Sequence, residues 1–171
     1  VEWFEAKLKE VNDEMQKQFK DYRISEALMT VYKLFWDEFS SWYLEMVKPA
    51  YVDGQAQPID EATYEATLRF FDALLKMLHP FMPFITEELW QHIYDRKDGE
   101  SIMKATLAID TPTADEQKLT EQFESVKQIV AGVRAVRNQK NIAPKETLGL
   151  QALGENHFER FNAVITKMAN L

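Results

Sequence analysis

The chain has 171 residues, 46% hydrophobic and 12% aromatic, enough to bury one sizeable core, so it does not read as a disordered segment. Its 28 acidic against 20 basic residues leave a formal net charge of −8, which argues against a freestanding nucleic-acid binder and requires any RNA contact to be local. With no cysteine, no apolar run of the roughly 20 residues a membrane span needs, and no signal-peptide layout in its first residues, the reading is a cytosolic protein without disulfides or thiolate metal sites. A helix already under way at Val1, with no initiating methionine, points to a piece of a longer polypeptide.

From Trp3 to about Phe19, the residues Phe4, Leu8, Val11, Met15 and Phe19 recur at steps of three and four, the period of a helix with one apolar face. A short connection, Asp21 to Ser25, leads into a second helix that runs to Lys48 and is stopped by Pro49. The apolar residues of this second helix cover more than one face, as expected of a central helix with several neighbours. Its aromatic series Phe35, Trp36, Phe39, Trp42 and Tyr43 reads as core rather than as a base-stacking platform. Tyr51 to Pro58, with Asp53-Gly54 inside it, reads as a loop, and a third helix starts near Asp60 with Tyr64, Leu68, Phe71, Leu75 and Leu78 on its apolar face.

That helix runs into Leu78-His79-Pro80-Phe81-Met82-Pro83-Phe84-Ile85-Thr86-Glu87-Glu88-Leu89-Trp90-Gln91. Two prolines without N–H groups force a rigid corner, after which Thr86 is the expected cap of a fourth helix over about 87–94. Asp95 to Glu100 reads as an exposed turn, Ser101 to Lys104 as extended, and 105–114, containing Asp110-Thr111-Pro112-Thr113, as a linker. Asp115 opens a fifth helix with Leu119, Phe123, Val126, Ile129, Val133 and Val136 at helical spacing, reaching Asn141. Leu148, Leu150 and Ala152 then alternate as in a strand, and His157 to Met168 reads as a last short helix. The fold class is mainly α: an antiparallel helical bundle over 1–143, followed over 144–171 by the strand and helix that begin a small α/β unit.

Chemistry is sparse. No Gly-rich phosphate loop is present, and His79, His92 and His157 lack metal-ligand spacing, so no metal or nucleotide cofactor is expected in this chain. His79 beside Pro80 reads as a structural partner of its helix end. Asp37-Glu38 and Glu87-Glu88 are sequence neighbours that do not face each other on a helix, so they read as surface and cap rather than as an acid-base pair. Cations gather twice, at Lys17, Lys20 and Arg23 and at Arg134, Arg137, Lys140 and Lys145. Arg134, Arg137 and Asn141 share one side of the fifth helix, with Lys140 adjacent. They suit phosphates or an extruded base edge, and equally the negative end of a helix dipole.

The proline corner behind a long aromatic helix resembles the anticodon-binding helical domain of class I aminoacyl-tRNA synthetases of the valine, isoleucine and leucine group. Two further segments carry the resemblance. The run from Lys20 through Trp42-Tyr43-Leu44-Glu45 is similar to the family's polar turn and aromatic helix ending in W-Y-[LI]-E. Val133-Arg134-Ala135-Val136-Arg137 leading into Asn141-Ile142-Ala143-Pro144 is similar to the valine branch's paired arginines before N-[IM]-x-P.

The resemblance implies a parent enzyme that uses ATP and Mg²⁺ to charge valine tRNA and that edits mischarged product in another domain. It implies that this chain grips the anticodon stem and loop, with Lys17, Lys20, Arg23, Arg134, Arg137, Lys140 and Asn141 as tRNA-binding candidates. The family's H-I-G-H and K-M-S-K-S signatures are absent, so no catalytic residue is expected here. The family's opening helix would precede Val1. Expected partners are valine tRNA and the rest of the synthetase chain, in a monomeric enzyme. Alternatives are the same domain of an isoleucyl or leucyl relative, and an acidic helical protein-interaction module without RNA, which the charge of −8 alone favours.

Overall fold

The computed structural model describes residues 1–49, 51–143, 146–151 and 158–171, which divide into two compact units, Val1–Thr113 and Ala114–Leu171. The bundle expected over 1–143 therefore shares its last helix with the second unit, because that helix packs against the carboxyl-terminal one.

In the first unit α1 spans Glu2–Lys20 and buries Phe4, Leu8, Val11 and Met15, as the spacing requires. It ends with Tyr22 in the left-handed region, φ 58°, while the Arg23 N–H closes onto the Gln18 carbonyl at 2.8 Å. Three residues later the chain reverses into α2, which covers 24–47 in three continuous pieces. Ile24–Lys33 is α-helical, Leu34–Tyr43 has wider π-type turns, and Leu44–Val47 is α-helical again. In the wide segment the hydroxyls of Ser40 and Ser41 donate to the carbonyls of Phe35 and Trp36, five residues back, at 2.9 Å each.

The aromatic core forms where α1 and α2 meet the third helix, α3 (Glu61–Leu78). The Phe4 ring lies 5.0 to 5.3 Å from those of Phe39, Tyr43 and Phe70. Phe39 stacks on Tyr43 and on Phe71. Of the aromatic series expected in the core, Phe39 and Tyr43 are buried but Trp36 is 58% exposed. Its helix packs on α1 and α3 and leaves that face open in this unit.

Between α2 and α3 the expected loop contains a hairpin, β1 (Tyr51–Val52) paired antiparallel with β2 (Gln55–Ala56). Asp53 at φ 51° and Gly54 at φ 78° form its two-residue turn, a geometry that Asp-Gly adopts readily. Asp60 caps α3 by accepting from the Thr63 N–H at 2.9 Å, and hydrogen bonds from the Thr63 side chain and then its N–H hold the Asp60 carboxyl below the usual range.

The proline corner is real, but the next helix begins earlier than expected. α4 spans Pro83–Ile93 with Pro83 at its first position, where a missing N–H costs nothing and the fixed φ suits a helix. Thr86 is consequently inside the helix and buried, not its cap. Its hydroxyl donates to the Met82 carbonyl at 2.8 Å and meets His79 Nδ1 at 2.8 Å. The hydroxyl has one proton, so His79 carries the donating proton on Nδ1; its role is structural, but its partner is Thr86 of the next helix rather than the expected end of its own helix.

Trp90, Leu75 and Ile102 then form a buried cluster. Ile102–Lys104 is a 3₁₀ turn rather than an extended segment, because the Ser101 hydroxyl caps it by accepting from the Met103 N–H.

In the second unit α5 spans Ala114–Lys140 and α6 spans Asn162–Ala169, preceded by a 3₁₀ turn at Glu159–Phe161. Phe123 meets Phe161 edge to face at 5.7 Å, with Leu119, Val126, Val130 and Ile165 also buried. The expected strand is not formed over 147–151, where no partner strand is present among the described residues. Ala152 and His157 lie outside the described residues, as does Lys145. Among the described residues the second unit is helical.

Candidate nucleic-acid interface

The seven candidate residues fall in two places, one in each unit. In the first unit Lys17, Lys20 and Arg23 sit at the end of α1 and the start of α2, where cations also complement the negative helix end. Lys17 pairs with Asp13 at 2.8 Å, and that hydrogen bond raises its pKa above the usual lysine value. Arg23 forks onto Glu26 through Nε at 2.8 Å and through a second guanidinium nitrogen. Lys20 is exposed. The turn also pushes Tyr22 outward until 88% of it is exposed, between Lys20 and Arg23 in sequence. Sequence reasoning had passed over this ring, because nothing in the composition of a short connection announces a left-handed tyrosine. A cationic corner with an exposed ring can contact phosphates and stack a base.

In the second unit the carboxyl end of α5 is arranged around its own backbone. Arg137 is 6% exposed and donates to the carbonyls of Ala143 at 3.2 Å, Glu146 at 2.7 Å and Asn170 at 2.6 Å. It is a clamp that ties the turn after α5 to the end of α6. Arg134 donates to the Met168 carbonyl at 2.8 Å and does similar work from the surface. Asn141 takes the left-handed position, φ 53°, with the Ile142 N–H closing onto the Arg137 carbonyl at 2.9 Å, so it terminates α5. Lys140 is exposed one residue earlier. Arg137 thus presents its donors inward, and Arg134, Lys140 and Asn141 border the outside.

Elsewhere the polar groups are structural. Glu87 accepts from Ser101 Oγ at 2.6 Å, from Gln91 Nε2 at 2.7 Å and from the Ile102 N–H at 3.2 Å, and these bonds lower its pKa. Glu88 faces His92 instead, at 3.2 Å. Among the described residues there is no group of three or more His, Asp or Glu placed to hold a metal ion, and no helix long and apolar enough to cross a membrane.

Residues 1–152 match the family described as the anticodon-binding domain of tRNA ligase. The chain belongs to that family. Its match covers both candidate corners. Over its full length the chain is 63% identical to a valine–tRNA ligase of Phocaeicola vulgatus and 58% identical to one of Bacteroides thetaiotaomicron. It is 33% identical over 85% of its length to one of Rhodopirellula baltica. The chain spans 19% of the length of the first two relatives and 15% of the third. Membership in the anticodon-binding family agrees with the helical layout, the proline corner and the aromatic helix on which the resemblance was drawn.

Proposed function

We propose that this chain is the part of a cytoplasmic valine–tRNA ligase that holds the anticodon stem and loop of valine tRNA, so that the acceptor end reaches a catalytic domain elsewhere in the polypeptide. The observation that carries the reading is the anticodon-binding match over 1–152, together with valine–tRNA ligases similar along the entire chain. On this reading ATP and Mg²⁺ are bound by the part of the polypeptide that carries the family's H-I-G-H and K-M-S-K-S signatures. The enzyme acts as a monomer. Lys20 and Lys140 are the candidates exposed enough to neutralise phosphates, Lys17 and Arg23 do so by exchanging their carboxylate partners, and Arg134, Arg137 and Asn141 hold the α5 turn in shape.

The test is a full-length ligase carrying Lys20→Ala and Lys140→Ala together. Aminoacylation efficiency is expected to fall by about tenfold, while valine-dependent ATP–pyrophosphate exchange stays intact. The slope of log affinity for tRNA against log salt should flatten by about 1.4 to 1.8 if both contacts are to phosphates. Equal loss in both assays would overturn the residue assignment. An acidic protein-interaction module, favoured by the net charge of −8, predicts no salt-dependent tRNA binding at all. An isoleucyl or leucyl parent would be revealed by the amino acid charged.

A further inference from the structure

Between α1 and α3 the first unit holds a cleft of about 360 Å³, with residues 106–110 as its third side. Its floor is apolar, made by the buried Leu8, Phe70 and Ala73. The third side is the stretch beyond the 3₁₀ turn, where partly buried Leu107 and Ile109 alternate with exposed Thr106, Ala108 and Asp110. That alternation is the pattern of extended backbone lying along a surface. A volume at the lower end of small-molecule sites, with an apolar floor and a few charges, has the make-up of a ligand cleft.

The charges decide what fits. Lys9, Arg69 and Lys76 line the cleft together with Glu5, Asp72 and Asp110, so the two signs balance. Lys76 and Asp72 satisfy each other at 2.6 Å. Arg69, Glu5 and Asp110 form no ion pair among the described residues, and the Arg69 guanidinium lies 5.8 Å from the centroid of the Phe70 ring, beside the floor. A simple anion placed here meets two unpaired acids, and a simple cation meets Arg69 and Lys9. A phosphate strand is disfavoured by the same acids. A molecule with one charge of each sign on a short aliphatic body satisfies every wall: its carboxylate takes the Arg69 fork, its ammonium takes the acids, and its body covers the apolar floor.

We propose that this cleft binds a small zwitterion with an aliphatic side chain, the chemical class of a free α-amino acid, with Arg69 on its carboxylate and Glu5 and Asp110 on its ammonium. The site lies wholly within Val1–Thr113 and does not depend on what the parent polypeptide catalyses.

The test uses the full-length ligase with its activating site filled by a non-hydrolysable valyl-sulfamoyl analogue of the adenylate, and L-leucine as the probe in equilibrium dialysis. Inhibition of valine-dependent ATP–pyrophosphate exchange by the analogue shows that the protein is folded and checks the valine–tRNA ligase reading separately. One equivalent of L-leucine is expected to bind, whereas isocaproate, which lacks the ammonium, and isoamylamine, which lacks the carboxylate, should each bind far more weakly. Arg69 is exposed, so Arg69→Ala should fold, keep pyrophosphate exchange without the analogue, and weaken L-leucine binding by at least about tenfold. Glu5→Gln combined with Asp110→Asn should do the same. Absence of bound L-leucine overturns the proposal, as does isocaproate or isoamylamine binding as tightly as L-leucine. Binding unchanged in the Arg69 variant or in the double variant overturns it too.

Discussion

Trp90 gives its indole N–H to Asp72 Oδ1 at 2.7 Å, joining α4 to α3 across the proline corner. The same carboxylate takes Lys76 at 2.6 Å and Arg96 at 3.5 Å, and the Arg96 guanidinium lies over the Trp90 ring. One acid thus satisfies a buried donor and two cations that are themselves mostly covered. Asp72→Ala is expected to destabilise the first unit by about 2 to 4 kcal/mol, since it orphans the indole N–H and leaves two charges unpaired. Asp72→Asn should lose less. Urea unfolding followed by tryptophan fluorescence checks the order of the two variants.

Thr86 and His79 hold the corner from inside. Thr86→Val keeps the shape, removes the hydroxyl that links His79 Nδ1 to the Met82 carbonyl, and should cost about 1 to 2 kcal/mol. A thermal midpoint unchanged within error would mean that the prolines alone fix the corner.

Glu87 makes the link between α4 and the 3₁₀ turn dependent on pH. Its folded pKa lies below the usual glutamate value, through the hydrogen bonds from Ser101, Gln91 and the Ile102 N–H. A depressed carboxylate adds stability above its unfolded pKa and loses it as pH falls through the folded one, so the loss lies at and below about pH 4.3. Stability curves of the wild type and Glu87→Gln should converge in acid and separate at neutral pH, the wild type being higher. Parallel curves would sink the assignment.

Arg137 and Lys140 should behave oppositely. Arg137→Ala removes donors to three carbonyls and is expected to destabilise the second unit by about 2 to 4 kcal/mol. Lys140→Ala should leave stability within about 0.5 kcal/mol and, on the proposed function, weaken only tRNA binding. Calorimetry of both variants beside a binding titration separates a clamp from a contact.

Gly54→Ala places a side chain at φ 78° in the hairpin turn and should cost about 1 kcal/mol. Hydrogen exchange at Gln55 and Val52 is the local readout.

The apolar faces are legible where periodicity and packing agree, from Phe4 to Met15 in α1 and at Leu119, Phe123 and Val126 in α5, whose buried side then passes through Val130 while Val136, expected on it, is half exposed. Thr86 misled because a hydroxyl followed by two acids is a good helix start, and a proline at the first helical position was a better one. Leu148 and Leu150 alternate, but among the described residues they have no partner strand to make the alternation count. The basic turn of α5 was read correctly as cationic, but composition does not say which way a guanidinium points, and Arg137 turned inward because three carbonyls at two chain reversals needed a donor. Tyr22 and the exposed side of Trp36 were invisible for the same reason: exposure of a large ring is decided by neighbours, not by the residue.

The wide turns at Leu34–Tyr43 make chain length a constrained quantity in α2. Each α-helical residue advances the face by about 100°, so removing one residue from this stretch would rotate Ala27 and Val31 out of phase with Phe39 and Tyr43. Substitutions at an exposed position of this stretch such as Asp37 should be accepted, whereas those at the buried Leu34, Phe39 and Tyr43 and any single-codon deletion should not.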